Sequence, residues 1–253
     1  MTSSKWRVVS NEMEVTLVLR MKHVQSRIVI LGILCVFSLA CLLLASYIRE
    51  YTGRNVYSFL RWDMFLAWVP VVCALLIECI YWGRWTSRGI RVLIMSLLGL
   101  IWLAFYPNSA YLITDMLHPF VHYKPAAGMR FTHDIEFWHH LLVFFSAAWV
   151  GIMLGIYSLY ILHSLVSRSF GTITSWLFVS VVLALSSVGI YIGRFIRWNS
   201  WDLLTMPGIR IQELYQMLLD PVRLHHLSSF SLLIFAISIF SYGCVYCFTF
   251  IRK

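Results

Sequence analysis

The chain alternates between long apolar blocks and shorter segments that are rich in polar residues. An α-helix needs about 20 apolar residues to cross the hydrocarbon core of a bilayer. Six blocks reach this length: Ile28–Ile48, Phe59–Trp82, Ile90–Ile113, Leu141–Ser164, Phe170–Phe195 and Leu227–Ile251. They are too long and too continuous for the strands of a membrane barrel, in which apolar residues alternate. The pattern therefore predicts an all-α integral membrane bundle of six transmembrane helices.

Most of the length between the blocks lies in two segments, residues 114–140 and 193–226. The second segment contains four apolar residues at helical spacing after Pro207: Ile211, Leu214, Tyr215 and Leu218. This spacing predicts an amphipathic lid helix that lies on the membrane surface or caps the bundle. No linker divides the chain, so we expect an N-terminal segment, residues 1–27, and a single transmembrane domain, residues 28–253.

The charge of the chain fits a membrane protein and predicts its orientation. Hydrophobic residues make up 60% of the chain and charged residues only 12%, which excludes a disordered protein, a disulfide scaffold and an ordinary soluble enzyme. Lys and Arg are denser beside the termini than in the two long segments, which predicts a cell-membrane protein with both termini cytoplasmic. The net charge of +9 follows from these basic flanks, so we expect membrane lipids and no nucleic acid as partners. Glu78 is expected to pair with Arg84 or Arg88.

Polar residues recur at regular intervals at the external end of the third block. Four of them follow Pro107 at intervals of 3, 4 and 3 residues: Asn108, Tyr111, Asp115 and His118. A helix that continues to Pro119 would place all four on one face. Polar side chains at membrane depth are costly unless they face protein or water, so the stripe predicts a site. The alternative is a solvated helix end.

Two arginines lie one helical turn apart at the external end of the fifth block. Arg194 and Arg197 could clamp a phosphate or carboxylate through their planar guanidinium groups, or they could extend to lipid headgroups. Asn199 and Asp202 follow, and they could hold the arginine side chains in position or cap a turn.

A divalent metal is a weaker candidate for the same region. Four side chains could together supply ligands: Asp115, His118, His140 and Asp202. Aspartate and histidine three residues apart can share a ligand face, but the chain contains no HExxH or other diagnostic spacing. We therefore predict no cofactor and keep the metal as an alternative.

Two runs, YPNSAYLITDMLH and GRFIRWNSWD, resemble a bacterial family of multipass membrane proteins catalogued as domain of unknown function 1361. The resemblance falls on Pro107, Asn108, Tyr111, Thr114, Asp115, His118, Gly193, Arg194, Arg197, Trp198, Asn199, Ser200, Trp201 and Asp202. It covers roughly residues 59–205. One departure is FWHH at the start of the fourth block, where His140 takes the place of an expected acid. The resemblance implies a membrane topology and a bacterial source, and it implies no activity.

The leading hypothesis is an enzyme at the outer leaflet, a hydrolase or group transferase that acts on a lipid or lipid-linked anionic substrate. Asp115 would orient or deprotonate His118, and His118 would be the general base. The substrate-binding candidates are Asn108, Tyr111, Arg194, Arg197, Asn199 and Asp202. The alternatives are a binding or transport protein for an anionic solute and a non-catalytic accessory subunit. The polar residues lie near the membrane edge and not at mid-bilayer, which counts against transport.

Overall fold

The computed structural model describes residues 2–53, 57–83, 87–123, 134–198 and 205–251, and within these residues the chain is helical and contains no strand. The helices are α1 (Thr2–Thr52), α2 (Leu60–Trp82), α3 (Arg88–Asp115), α4 (His118–His122), α5 (Ile135–Phe170), α6 (Thr172–Tyr191), α7 (Pro207–Leu219) and α8 (Pro221–Ile251). A π-helical turn, Ile192–Ile196, continues α6.

Six of these helices, α1, α2, α3, α5, α6 with its π turn, and α8, are long and apolar enough to cross a membrane. The chain is therefore a multi-pass membrane protein, and the predicted all-α bundle of six spans is confirmed. Because the number of spans is even, the first span begins and the last span ends on the same side of the bundle. The terminal side carries both chain termini, and the loop side is where α3 ends and α5 begins.

Helix α5 lies at the centre of the bundle and packs against α1, α2, α3 and α6. Gly151 lets α3 approach it closely, because a Cβ atom at that position would lie 2.3 Å from the Ser109 carbonyl oxygen. One turn further, a Cβ atom at Gly155 would lie 3.2 Å from Ser109 Cβ. Small residues at this spacing are typical of membrane helices in close contact. The contact fixes α3 against the centre of the bundle.

A second pair of glycines brings α6 against α3. A Cβ atom at Gly189 would lie 2.8 Å from Pro107 Cγ, and one at Gly193 would lie 3.3 Å from Tyr111 Cε2. Pro107 and Tyr111 are one turn apart on α3. The loop-side end of α6 therefore lies directly beside the polar stripe of α3, which positions the candidate site.

Helix α1 continues through the N-terminal segment, since it begins at Thr2 and includes the first apolar block. Near the terminal side, Arg27 of α1 forms an ion pair with Glu78 of α2. The prediction that Glu78 pairs with a following arginine is wrong for Arg88, and Arg84 lies outside the described residues. The observed partner comes from a neighbouring helix, which no local spacing in the sequence could indicate.

Helix α7 confirms that the stretch after Pro207 is helical, but the residues that contact the bundle differ in part from the predicted stripe. Met217 is buried, and Leu214 packs beside it against Tyr191 and Leu227. The remaining members of the stripe are exposed: Ile211, Tyr215 and Leu218. Most of the apolar stripe therefore points away from the bundle.

Candidate functional site

The polar stripe of α3 does not continue as one helix to Pro119. Helix α3 ends at Asp115, and a tight turn leads to α4, which begins at His118. Pro119 explains the break, because its nitrogen carries no hydrogen and cannot bond the Asp115 carbonyl four residues earlier. The Nδ1 atom of His118 donates to that carbonyl oxygen instead, at 2.9 Å. The imidazole thus stays beside Asp115 although the helix has ended.

Asp115 is almost completely buried, with 1% of its surface exposed. Its Oδ1 atom accepts a hydrogen bond from Arg194 Nη1 at 3.2 Å and lies 3.6 Å from His118 Nδ1. Its Oδ2 atom is also buried, and no described residue donates a hydrogen bond to it. One carboxylate oxygen is therefore held by a cation, while the other can accept a further donor.

Two more side chains act on this ion pair. The Tyr111 hydroxyl interacts with Arg194, and its ring packs on Gly193. The carboxyl group of Asp63, on α2, lies within electrostatic range of Asp115 and Tyr111. Asp63 is half-buried, and its carboxyl group makes no hydrogen bond with the part of the chain that the structure describes. Two carboxyl groups near one guanidinium do not both have a cationic partner, so the site can hold a proton.

Arg197 does not join Asp115. It follows the π turn in a left-handed conformation, with φ 64°, and its side chain is exposed. Within the described ranges its side chain makes no hydrogen bond or ion pair. A π turn bonds residues five apart, so the α-helical spacing on which a paired arginine clamp was predicted does not apply. The other two candidates of this run, Asn199 and Asp202, lie outside the described residues.

Asn108 lies on α3, two turns before Asp115. Its side-chain amide donates to the Phe105 carbonyl oxygen at 3.1 Å. Among the predicted site residues, the structure thus brings four together at the loop side: Tyr111, Asp115, His118 and Arg194.

His140 belongs to a separate polar cluster. It is buried, with Nδ1 2.6 Å from the Tyr57 hydroxyl and Nε2 3.4 Å from the Tyr123 hydroxyl. Tyr123 also donates to Glu136 Oε2 at 2.9 Å. Both imidazole nitrogens of His140 therefore have tyrosine partners.

This arrangement bears on the predicted metal ligands. No group of three or more His, Cys, Asp or Glu side chains among the described residues is placed to hold a metal ion. Asp202, one of the four candidates, is not among those residues. The divalent metal therefore stays a prediction.

Aromatic residues that the sequence pattern does not single out surround His118. Its imidazole lies 4.9 Å from the Phe59 ring and 5.6 Å from the Phe144 ring, nearly parallel to the latter. Tyr57 packs edge-on against Phe144 at 4.6 Å. These contacts fix the orientation of the imidazole ring. Apolar and aromatic residues are so common in this chain that no sequence signal distinguishes the three from ordinary core residues.

A hydrogen-bonded contact connects α7 to the segment that follows Arg194. Trp198 Nε1 and Arg210 Nη1 both donate to Glu213 Oε2, each at 2.9 Å. The Arg210 guanidinium also lies over the Trp198 ring, 5.4 Å from its centroid. The lid helix therefore holds the end of the π turn and, through it, the position of Arg194.

Comparisons with known proteins identify a family and nothing more specific about the chain. A family model described as "Protein of unknown function (DUF1361)" matches residues 62–241. No curated protein and no solved structure matches the chain. The matched range contains Asp63, Asp115, His118 and Arg194, whereas helix α1 lies outside it.

Proposed function

The chain belongs to the DUF1361 family of proteins of unknown function, and we propose that it is an enzyme of the outer leaflet of the cell membrane. Its substrate would be a lipid or a lipid-linked anionic compound, and its reaction hydrolysis or group transfer. The observation that carries the proposal is the buried Asp115 carboxylate, which is paired with Arg194 and lies beside the His118 imidazole. An acid–base pair next to an arginine suits attack on a bond to an anionic group.

His118 would act as the general base. Because Nδ1 donates to the Asp115 carbonyl oxygen, the neutral imidazole has its proton on Nδ1, and Nε2 is the atom that accepts a proton. The Asp115 carboxylate, 3.6 Å from Nδ1, would stabilise the imidazolium that forms. Packing against Phe144 would keep the ring in this orientation.

Arg194 would bind the anionic group of the substrate. A guanidinium carries five N–H donors, so the bond to Asp115 leaves others for a phosphate or carboxylate. Its side chain is 22% exposed and can therefore be reached from the loop side. Tyr111, beside it, would donate to the reacting oxygen. The remaining predicted contributors to substrate binding are Asn108, Arg197, Asn199 and Asp202.

A transport function would need a path through the bundle. The structure contains a cavity between α3, α5, α6 and α8, and Ser109, Ser186 and Tyr242 are among the residues that line it. Its volume is about 30 Å³, which suits a water molecule and not an anionic solute. This cavity therefore offers no route for an anionic solute and lends no support to transport.

The test is a search for lipid conversion. The purified protein is placed in nanodiscs made with the total lipid extract of its source cells, and the lipids are measured by mass spectrometry before and after incubation. We expect one class of anionic lipid to decrease and a product to accumulate, and we expect no change in empty nanodiscs or with heat-unfolded protein. The same lipid profile in all three samples would contradict the proposal.

A further inference from the structure

A groove lies at the terminal side of the bundle, at the opposite end from Asp115. It runs between the ends of α2 and α3 and the facing ends of α5 and α6, and its volume is about 830 Å³. That volume is within the usual range of roughly 300–1,000 Å³ for small-molecule sites. Its interior is apolar, with Ile77, Met95, Leu162, Leu165 and Phe178 among the lining residues.

Basic residues surround the mouth of the groove. Arg88 and Arg91, at the start of α3, both line it. Arg91 Nη1 donates to the Gly83 carbonyl oxygen at 3.1 Å, whereas the Arg88 side chain is exposed. A third cation, Arg168 of α5, lies over the ring of Trp82, another lining residue, at 5.5 Å. None of the described residues that line the groove is acidic.

The groove thus has an apolar interior, and arginine side chains lie together at its mouth. We propose that it binds one anionic phospholipid, with an acyl chain between α3 and α5 and the phosphate between Arg88 and Arg91. Basic pockets between membrane helices suit anionic headgroups. The hydroxyl groups of Tyr81 and Ser169, 3.0 Å apart, line the same groove and offer hydrogen bonds to the lipid ester or headgroup. The proposal does not depend on the chemistry assigned to Asp115.

The first test removes the charge at the mouth. Native mass spectrometry of the purified protein in detergent measures the retention of phosphatidylglycerol and of phosphatidylcholine with identical acyl chains. We expect the wild type to retain phosphatidylglycerol in preference, and we expect Arg88→Gln with Arg91→Gln to lower that retention about tenfold or more.

The matched control is Arg61→Gln with Arg223→Gln, which removes the same charge from two exposed arginines at the loop side. We expect this control to keep the preference of the wild type. Equal retention of the two lipids by the wild type would overturn the proposal, and so would an equal loss in the control.

The second test fills the groove and leaves the arginines in place. Gly99 lines the groove, and a Cβ atom there would meet no atom within 4 Å, so Gly99→Phe directs a ring into open space. We expect this variant to lose phosphatidylglycerol while its thermal unfolding stays near that of the wild type. The control, Gly32→Phe, adds the same ring at an exposed position on α1. Retention by Gly99→Phe at the wild-type level would show that no acyl chain occupies the groove.

Discussion

Arg194 of the π turn donates a hydrogen bond to the Asp115 carboxylate at the end of α3, with 3.2 Å between Nη1 and Oδ1. The Asp115 side chain is 2% exposed and the Arg194 side chain 22%. An anion that is buried this deeply depends on its cation, because water cannot replace the lost partner. The ion pair is therefore a structural contact as well as the centre of the proposed site.

Arg194→Gln should lower the free energy of unfolding by about 3–5 kcal/mol, because it leaves a buried carboxylate without its cation. Adding Asp115→Asn to the same chain removes the unpaired charge and should recover most of that loss. Denaturant unfolding in mixed micelles measures both variants. Arg223→Gln is the control, since Arg223 is exposed and its partner Asp220 is only partly buried, and it should cost less than about 1 kcal/mol. A double variant no more stable than Arg194→Gln would contradict this account.

Substitutions at His140 and His139 should differ in their effect on stability, although the two residues are adjacent in sequence. His140→Ala removes a buried ring and its hydrogen bond to Tyr57, and it should cost about 2 kcal/mol or more. His139 is exposed, and His139→Ala should change the free energy of unfolding by less than about 0.5 kcal/mol. Thermal unfolding of the two purified variants in one detergent compares them. Equal shifts would mean that His140 is not a buried residue hydrogen-bonded to Tyr57.

Gly151→Ala should destabilise the bundle. The added methyl group would lie 2.3 Å from the Ser109 carbonyl oxygen and 2.7 Å from Leu112 Cδ1, so α3 and α5 would have to separate. Overpacking of this kind costs about 1–3 kcal/mol. Gly32→Ala is the matched control, because its methyl group would meet no atom within 4 Å and alanine favours the helix. If both variants unfold at the wild-type temperature, the close approach of α3 and α5 is not correct.

The orientation of the chain can be tested with single cysteines in a background that lacks the native ones. Gly208 and Ser87 are exposed and lie at opposite ends of the bundle. Basic residues are denser on the terminal side, so we expect an impermeant reagent to label Gly208→Cys in intact cells. Ser87→Cys should be labelled only after permeabilisation. The reverse pattern would place the site in the cytoplasm and contradict an outer-leaflet enzyme.

The six spans could be predicted from the sequence because the length and apolar character of each block are local properties. The sequence could not predict that Arg194, and not Arg197, pairs with Asp115. The pairing depends on a π turn that nothing in the run GRFIRW indicates. The end of α3 is a similar case. Pro119 forbids one backbone bond, but only the structure shows that the His118 side chain replaces it.

Contacts between distant parts of the chain account for the other features of the structure that the sequence could not predict. Tyr57 and His140 are 83 residues apart and hydrogen-bonded, so no spacing could assign His140 to a tyrosine cluster. Tyr57 also adopts a left-handed conformation, with φ 61°, that its sequence context does not indicate. Polar residues near one end of the spans could be recognised from the sequence. Which of them pair could not be recognised, because the pairing depends on the packing of α3 against α6.

The proposed function requires His118 to be a general base and not a packing residue. The measurement is the rate of lipid conversion in nanodiscs by the wild type, His118→Ala and His139→Ala, each shown by size exclusion and thermal unfolding to be folded. Loss of a general base typically lowers a rate by a factor of about 10² to 10⁴, so we expect that loss for His118→Ala alone. Conversion by folded His118→Ala at the rate of the wild type would show that His118 is not the general base.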